Sequence, residues 1–140
     1  MDILTPDQRS ALMSRIRGKD TKPELAVRRV AHALGYRFRL HRRDLPGAPD
    51  LVFPRLRKTV FVHGCFWHRH PGCRYAYCPK SHWVFWRKKF SANVARDQNA
   101  LRMLRGHGWD VLVIWECQTD DISALTRRLL AYLKNTKKHA

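Results

Sequence analysis

The sequence is short of acidic residues and has no apolar run long enough to cross a membrane. Only 11 Asp and Glu residues stand against 28 Lys and Arg, so the formal net charge is +17. Positive charge in this excess repels itself in a folded chain. It therefore indicates a polyanionic partner, with nucleic acid ahead of an anionic membrane. A basic surface without such a partner is the alternative interpretation.

Two further absences bear on location. No uninterrupted apolar segment approaches the roughly 18 residues of a membrane span. Residues 1–14 also lack the basic start and the apolar middle of a signal peptide. We therefore expect a cytoplasmic protein with no membrane partner. In a reducing cytoplasm the four cysteines are more readily metal ligands than disulfides.

The chain contains no internal repeat, linker or low-complexity segment, and its 140 residues fit one domain. Capping residues, helical periodicity and alternating apolar residues predict the order α, α, β, β, β, α, β, α. The predicted segments are a helix from Thr5 to Gly18, a helix from Thr21 to Gly35, strands at YRFRL, LVF and TVFVH, a long helix from Ser81 or His82 to Gly106, the strand WDVLVIWE and a helix over 123–134. The run WDVLVIWE is typical of a strand buried on both faces.

The stretch VHGCFWHRHPGC, residues 62–73, holds much of the chemistry of the chain. It places three histidines and two cysteines around an adjacent Phe and Trp. Burying so many polar groups is costly unless something satisfies them, and a metal ion is the simplest candidate. The motif therefore predicts at least one metal site at the end of the strand TVFVH.

Asp50 opens the strand LVF within the segment GAPDLVF. A turn residue is the ordinary interpretation of such an aspartate. However, a helix, a three-stranded meander whose middle strand begins with Pro-Asp, another helix and another strand together resemble the core of the PD-(D/E)xK nucleases. Those enzymes hold Mg²⁺ on that aspartate and cut phosphodiesters. The next strand departs from their pattern, because Val62 and His63 stand where an acid and a lysine are expected.

Four motifs and the N-terminal segment resemble the very-short-patch repair (Vsr) DNA mismatch endonucleases. They are LPGAPD at 45–50, FVHGCFWHRH at 61–70, NVARD at 93–97, VIWEC at 113–117 and the early segment RSALMSRIRGKDTKPE. The resemblance implies one α/β domain over 1–140, with a central mixed β-sheet flanked by helices, a restriction-endonuclease-like αβββαβ core and a structural zinc site. Residues 1–20 would form a DNA-contacting helix, 21–134 the catalytic core and 135–140 a tail.

The same resemblance implies a reaction, the nicking of one strand beside the thymine of a T:G mismatch left by deamination of 5-methylcytosine. Asp50 would bind Mg²⁺ together with the main-chain carbonyl of Val62, a position that is often threonine in the family. His68 would be the general base, since imidazole changes protonation near neutral pH. His63 would position or neutralise the phosphate. Glu24 would orient water or metal ligands, unless it only caps its helix.

A separate structural zinc site is implied for the motif loop. Its ligands would be Cys65, His70, Cys73 and Cys117. Four protein ligands leave no open position, which is typical of a structural zinc. This chain places one residue more between its last loop ligands than the family does, so the loop has to bulge at Pro71 or Gly72. Cys78 and His82 are rival ligands, and four thiols without metal are the ordinary alternative.

Aromatic residues are implied to read the mismatch. Phe66, Trp67 and Trp86 would wedge between base pairs, where unstacking costs less if pairing is already poor. Met13 would probe the duplex from the N-terminal helix. Packing on the core is the ordinary role of such side chains. We expect a monomer at the nucleoid whose partner is duplex DNA with a T:G mismatch, with other mismatch-repair proteins as further candidates. A noncatalytic zinc-containing DNA-binding module is the second hypothesis.

Overall fold

The computed structural model describes residues 21–135, so the predicted N-terminal helix, Met13 and residues 136–140 lie outside it. The elements are α1 (Lys22–Ala33), β1 (Arg39–Leu40), β2 (Leu51–Phe53), β3 (Lys58–His63), α2 (Trp83–Gly106), β4 (Asp110–Trp115) and α3 (Ile122–Lys134), with short 3-10 turns at Pro54–Leu56 and Glu116–Thr119. None of the helices in this part of the chain has the length and apolarity that a membrane span requires.

The four strands form one mixed sheet in the order β1-β2-β3-β4. The first three strands make an antiparallel meander, in which Leu51 lies opposite Val60. β4 then pairs in parallel with β3, with Val62 opposite Ile114. A parallel pair needs a crossover connection, and α2 supplies it. The predicted order of meander, helix and strand is therefore confirmed for the described residues, and the fold is α/β.

Helices cover both faces of this sheet. Alternation along β2 sends Leu51 and Phe53 to one face and Val52 to the other. The first face packs against α1 and α3 through a core of Val27, Val30, Ala31, Leu51, Phe53, Val60, Ile114, Leu125, Leu129 and Leu133. The second face packs against α2 and the turn after it, through Val52, Phe61, Leu104 and Trp109. Burial of each large apolar side chain in these cores contributes roughly 1.5–3 kcal/mol to stability. The sheet therefore holds the residues at the ends of its strands in fixed positions.

The start of α1 follows from its capping sequence. The side chain of Thr21 accepts a hydrogen bond of 3.4 Å from the backbone N–H of Glu24, as a helix N-cap does. The helix stops before Gly35, which has φ +86° and so takes a conformation that costs other residues energy. Both ends of α1 match the prediction. The cap also fixes Glu24 in the first turn, where it is buried.

Three local predictions need correction. The strand predicted at YRFRL, residues 36–40, shortens to Arg39–Leu40, because only these two residues pair with β2, opposite Val52 and Leu51. The strand predicted as buried on both faces is β4, an edge strand of the described sheet, and of its six residues only Ile114 is fully buried. His82 precedes α2 as predicted but makes no side-chain capping bond, because its own φ is +57°.

Candidate functional site

One cleft of about 1130 Å³ lies where the first turn of α1, the loop before β2, the end of β3 and the middle of α2 meet. Four of the catalytic residues predicted from the sequence line it, namely Glu24, Asp50, His63 and His68. They come from four segments of the chain, so the fold alone brings them together. Lys89 and Arg96 of α2 lie along the same cleft and bring basic side chains beside its carboxylates.

Asp50 is held at the end of the sheet by the strand beside it. The backbone N–H of Val62 donates a hydrogen bond of 2.6 Å to Oδ2 of Asp50. The N–H and the C=O of one strand residue face the same neighbouring strand. The carbonyl of Val62 therefore lies on the same side of β3 as its N–H, which is the side of Asp50. Burial, opposed by the Val62 hydrogen bond and assisted by the nearby Glu24, raises the pKa of Asp50 to about 7.

His41 lies between the two carboxylates and was not among the predicted site residues. Its Nδ1 is 3.6 Å from Oδ1 of Asp50, and its Nε2 is 3.4 Å from Oε2 of Glu24. Arg28 contacts both His41 and Glu24. Its Nη2 lies 3.0 Å from Nε2 of His41 and 3.2 Å from Oε2 of Glu24. Local sequence patterns do not indicate the position of His41 in the site, because it depends on the left-handed backbone of that residue, at φ +47°.

The two site histidines are stacked on each other. The rings of His63 and His68 are 4.0 Å apart and nearly parallel, at 6°. Nδ1 of His68 lies 2.5 Å from Oδ2 of Asp97 on α2, which is a charge-assisted hydrogen bond. Burial, together with the neighbouring His68, lowers the pKa of His63 to about 3. Asp97 was seen only as part of the motif NVARD, and its pairing with His68 adds it to the site.

The second polar cluster lies beyond the motif loop and contains the four residues predicted to bind zinc. The ligand atoms of Cys65, His70, Cys73 and Cys117 all lie within 4.8 Å of one another. Nδ1 of His70 is 3.7 Å from Sγ of Cys65 and 3.4 Å from Sγ of Cys117. Zn²⁺ bonds of about 2.3 Å to sulfur and about 2.0 Å to nitrogen place tetrahedral ligands at roughly such separations. The donor set and its spacing therefore fit a zinc ion.

Turns within the motif loop create this convergence. The N–H of His70 donates to the carbonyl of Cys65 at 3.0 Å, and the N–H of Cys73 donates to the carbonyl of His70 at 3.3 Å. Between the last two ligands, Gly72 has φ +70°, which is the left-handed region that favours glycine. This turn lies at one of the two positions where the loop was predicted to bulge.

The rival ligands lie outside the cluster. Cys78 is exposed, and its sulfur accepts from Arg69 at 3.8 Å. His82 is exposed at the start of α2. Burial raises the pKa of Cys65 to about 12, so a buried thiolate at this position needs a positive partner. A zinc ion is such a partner.

The aromatic residues form a cluster beside the cleft. Phe66 lies 5.1 Å from Trp67, 5.8 Å from Trp86 and 5.1 Å from Phe90, measured between ring centroids. Trp67 is only 6% exposed, and Phe66 and Trp86 are half-buried. Lys89 places its Nζ 5.6 Å from the centre of the Trp67 ring. In the described chain these rings therefore pack on one another, as the ordinary interpretation expected, and Phe66 and Trp67 also line one side of the cleft.

Comparison with known proteins identifies relatives of this chain. A family model described as DNA mismatch endonuclease Vsr matches residues 1–74. The type II nicking enzyme V.XorIIP of Xanthomonas oryzae pv. oryzae is 53% identical over 128 residues, which cover 91% of this chain and 93% of that protein. The type II nicking enzyme V.NmeAIP of Neisseria meningitidis is 36% identical over 136 residues, covering 97% of this chain and 96% of that protein.

A third relative carries the mismatch activity in its name. The DNA mismatch endonuclease Vsr of Escherichia coli is 37% identical over 135 residues, which cover 91% of this chain and 85% of that protein. Matches of this extent span the described sheet, the cleft and the Cys-His cluster together.

Proposed function

This chain belongs to the Vsr family of DNA mismatch endonucleases, and we propose that it nicks one strand of a DNA duplex beside the thymine of a T:G mismatch. It is a DNA endonuclease. The observation that supports the proposed chemistry best is that Asp50 and His68, each oriented by a hydrogen bond, line the same cleft. Asp50 is held by Val62 of β3, and His68 is held by Asp97 of α2.

A divalent cation is the proposed partner of Asp50. Mg²⁺ prefers oxygen ligands and is commonly bound by one or two carboxylates plus the substrate's phosphates. Asp50 and the carbonyl of Val62 offer such oxygens, with Glu24 nearby to orient water or ligands. When bound, Mg²⁺ would stabilise negative charge on the phosphate oxygens and offset the cost of ionising a buried Asp50.

His68 is the proposed general base. With a proton on Nδ1 directed at Asp97, the lone pair of the ring remains on Nε2, where it can take a proton from the attacking water. Asp97 is thus proposed as a positioning residue that fixes the tautomer of His68. Of the two roles predicted for His63, positioning and neutralisation of the phosphate, positioning is the one proposed. With its pKa lowered to about 3, it stays uncharged at neutral pH and orients the phosphate by hydrogen bonding.

Zinc is proposed as a structural ion in the Cys-His cluster, held by Cys65, His70, Cys73 and Cys117. Their four donor atoms use every position of a tetrahedral site, so no place remains for a reacting water. The ion would tie the motif loop, which carries His68, to the turn that follows β4. Zinc in this position would support catalysis only by holding that loop still.

The DNA interface is proposed on the aromatic side of the cleft. Phe66, Trp67 and Trp86 would wedge into the mismatched step, and Trp67 would have to leave its 6% exposed position to do so. The proposed domain layout keeps residues 1–20, with Met13, as a DNA-contacting helix, 21–134 as the catalytic core and 135–140 as a tail. We propose that a monomer acts on DNA at the nucleoid of the cytoplasm. The net charge of +17 favours such a partner.

The test is a nicking assay on duplexes with separately labelled strands, run with Mg²⁺ and with EDTA. We expect Mg²⁺-dependent nicking of the thymine strand of a T:G duplex and none with Asp50→Ala, which should still bind DNA. Asp50→Ala cutting at the wild-type rate would contradict the metal site. Binding without any cleavage would favour the noncatalytic DNA-binding module. Equal cutting of T:G and A:T duplexes of one sequence would leave a nuclease without mismatch preference.

A further inference from the structure

We propose that His41, held by Arg28, is a positioning residue that orients the Asp50 carboxylate for the metal. This inference rests on the proposed role of Asp50 as a Mg²⁺ ligand. It concerns a residue that lies behind the carboxylates rather than in the cleft itself. The support comes from the direction in which each hydrogen bond around His41 has to run.

Arg28 decides which ring nitrogen of His41 carries the proton. The guanidinium only donates hydrogen bonds, and its Nη2 lies 3.0 Å from Nε2 of His41. Oε2 of Glu24 lies 3.4 Å from the same nitrogen, so Nε2 has both a donor and an acceptor beside it. The contact with Arg28 is the shorter of the two, and it forms a hydrogen bond only if Nε2 accepts, so we assign the lone pair of Nε2 to Arg28. In the neutral ring the proton then sits on Nδ1. Glu24, which accepts from Arg28 at 3.2 Å, keeps the guanidinium in place for this contact.

The protonated Nδ1 faces the metal-binding carboxylate. It lies 3.6 Å from Oδ1 of Asp50, while the N–H of Val62 donates to Oδ2 from the other side at 2.6 Å. At 3.6 Å the first contact is electrostatic and longer than a formed hydrogen bond. The two N–H groups nevertheless lie beside different oxygens of the carboxylate, and together they favour one orientation of it.

The backbone holds His41 where this contact is made. Its φ is +47°, in the left-handed region that is unfavourable for residues with a Cβ. The backbone N–H of His41 donates to the backbone carbonyl of Asp50 at 3.3 Å. The residue is therefore tied to Asp50 through the main chain as well as through the ring. Strain of this kind persists only where the surrounding contacts impose it.

A direct metal ligand is the competing role for His41. Ligand atoms of Glu24, His41 and Asp50 lie within 4.8 Å of one another, as they do in metal sites. A ring that bound metal through Nδ1 would carry its proton on Nε2, which would then meet the N–H of Arg28. An imidazole ligand would also favour zinc, cobalt or nickel over Mg²⁺. Arg28 therefore argues for positioning.

Three substitutions separate the roles. His41→Gln keeps an acceptor for Arg28 and a donor for Asp50, whereas His41→Leu removes both. Arg28→Met leaves the imidazole of His41 in place but removes the donor that assigns its proton to Nδ1. His32→Leu and Arg29→Met are the matched controls, since both residues are exposed on the same helix, α1. Loss of a hydrogen-bonding partner behind a ligand commonly costs about 10-fold or more in metal affinity.

The measurement is the dissociation constant of Mn²⁺, followed by electron paramagnetic resonance on the zinc-loaded protein bound to duplex DNA. We expect His41→Leu to weaken Mn²⁺ binding about 10-fold. Arg28→Met should weaken it less, His41→Gln should recover most of the loss, and the controls should match the wild type. Nitrogen NMR shifts of the ring should show the proton on Nδ1. A His41→Leu variant that binds Mn²⁺ as the wild type does overturns the inference, as does a proton on Nε2.

The outcomes distinguish this inference from the function on which it rests. If the wild type binds no Mn²⁺, or the Asp50→Ala variant binds it equally well, the proposed metal site fails and the role of His41 fails with it. If Mn²⁺ binds at Asp50 and His41→Gln is as defective as His41→Leu, only the positioning role is overturned. In that case direct ligation by the imidazole is the better account.

Discussion

The two polar clusters on either side of the motif loop differ in what their side chains face. In the Cys-His cluster, four donor atoms point at one another, and three of them are thiols that form only weak hydrogen bonds. In the cleft, Asp50 and His68 each face a separate protein partner and border open space. The first arrangement has the donor set that one ion would complete. The second borders a cleft with room for water and a phosphate, so the difference supports the proposal of a structural site beside a reactive one.

Burial works against charge in both clusters. It raises the pKa of Cys65 to about 12 and that of Asp50 to about 7. Each site therefore gains from a cation, and in each the protein opposes the shift with one backbone hydrogen bond. Asp50 accepts from the N–H of Val62, and Cys65 accepts from the N–H of Cys117 at 3.4 Å. The Cys-His cluster gathers three thiols, whereas Asp50 is a single carboxylate at the cleft, so we infer that the Cys-His cluster depends more strongly on its ion.

The largest effect is expected from Cys65→Ser. Structural zinc contributes roughly 10 kcal/mol or more to the folding of small zinc domains, and a buried serine cannot replace the thiolate. We expect the variant to purify without stoichiometric zinc and to lose its cooperative thermal transition. Zinc analysis and calorimetry measure both. Cys78→Ser is the control, because Cys78 is exposed and outside the cluster. A Cys65→Ser variant with full zinc content would contradict the ligand assignment.

The next effect concerns Asp50 and has the opposite sign. Its pKa is about 7 in the folded chain against an ordinary value of 3.8, so the folded state binds more protons than the unfolded state. Stability without Mg²⁺ therefore falls as pH rises from about 4 to about 7, and the full cost applies above that range. At about 1.4 kcal/mol for each pH unit, the cost is about 4 kcal/mol.

Asp50→Asn removes this cost while keeping an acceptor for Val62. In EDTA, urea denaturation should show the variant up to about 4 kcal/mol more stable than the wild type near pH 8, and no more stable near pH 4. Asp44→Asn is the matched control, since Asp44 is an exposed aspartate paired with Arg42. Equal stability of wild type and Asp50→Asn at both pH values would contradict the buried, cation-dependent carboxylate.

The sequence revealed the Cys-His cluster better than the cleft, for a physical reason. Cysteine and histidine at close spacing indicate a metal site without knowledge of the fold. Three of the four residues, Cys65, His70 and Cys73, lie within one loop. The contact between His68 and Asp97 depends on how α2 packs over the sheet, which local periodicity does not fix. The position of His41 beside Asp50 depends on its own left-handed backbone conformation. The burial of Trp67 is likewise a result of packing between segments.

A smaller effect is expected from Asp97→Asn, which tests whether His68 is oriented by its partner. The amide can donate to Nδ1 and so stabilise the wrong tautomer, with the lone pair turned away from the water. General-base catalysis contributes about 10²–10⁴-fold to a rate. We expect the nicking rate at saturating DNA to fall about 100-fold, with zinc content and Mn²⁺ affinity unchanged.

The control for Asp97→Asn is a comparison of its effect in the wild type with its effect in a His68→Ala background. If Asp97 acts only through His68, Asp97→Asn should cost nothing further in a His68→Ala background, since residues of one unit do not add. Single-turnover rates of the four proteins decide this. A full additional loss in the double variant would assign Asp97 a role of its own.

The smallest effect is expected from Gly72→Ala in the zinc loop. Gly72 has φ +70° with open space around the position of a new Cβ, so the cost is that of the left-handed backbone alone, about 1 kcal/mol. Because the strain falls between His70 and Cys73, we expect zinc affinity to drop about fivefold, measured by competition with a chelator. Gly35→Ala, at φ +86° and also in open space, should cost similar stability but leave zinc affinity unchanged. Equal zinc affinity in the two variants would show that the loop does not set the geometry of the cluster.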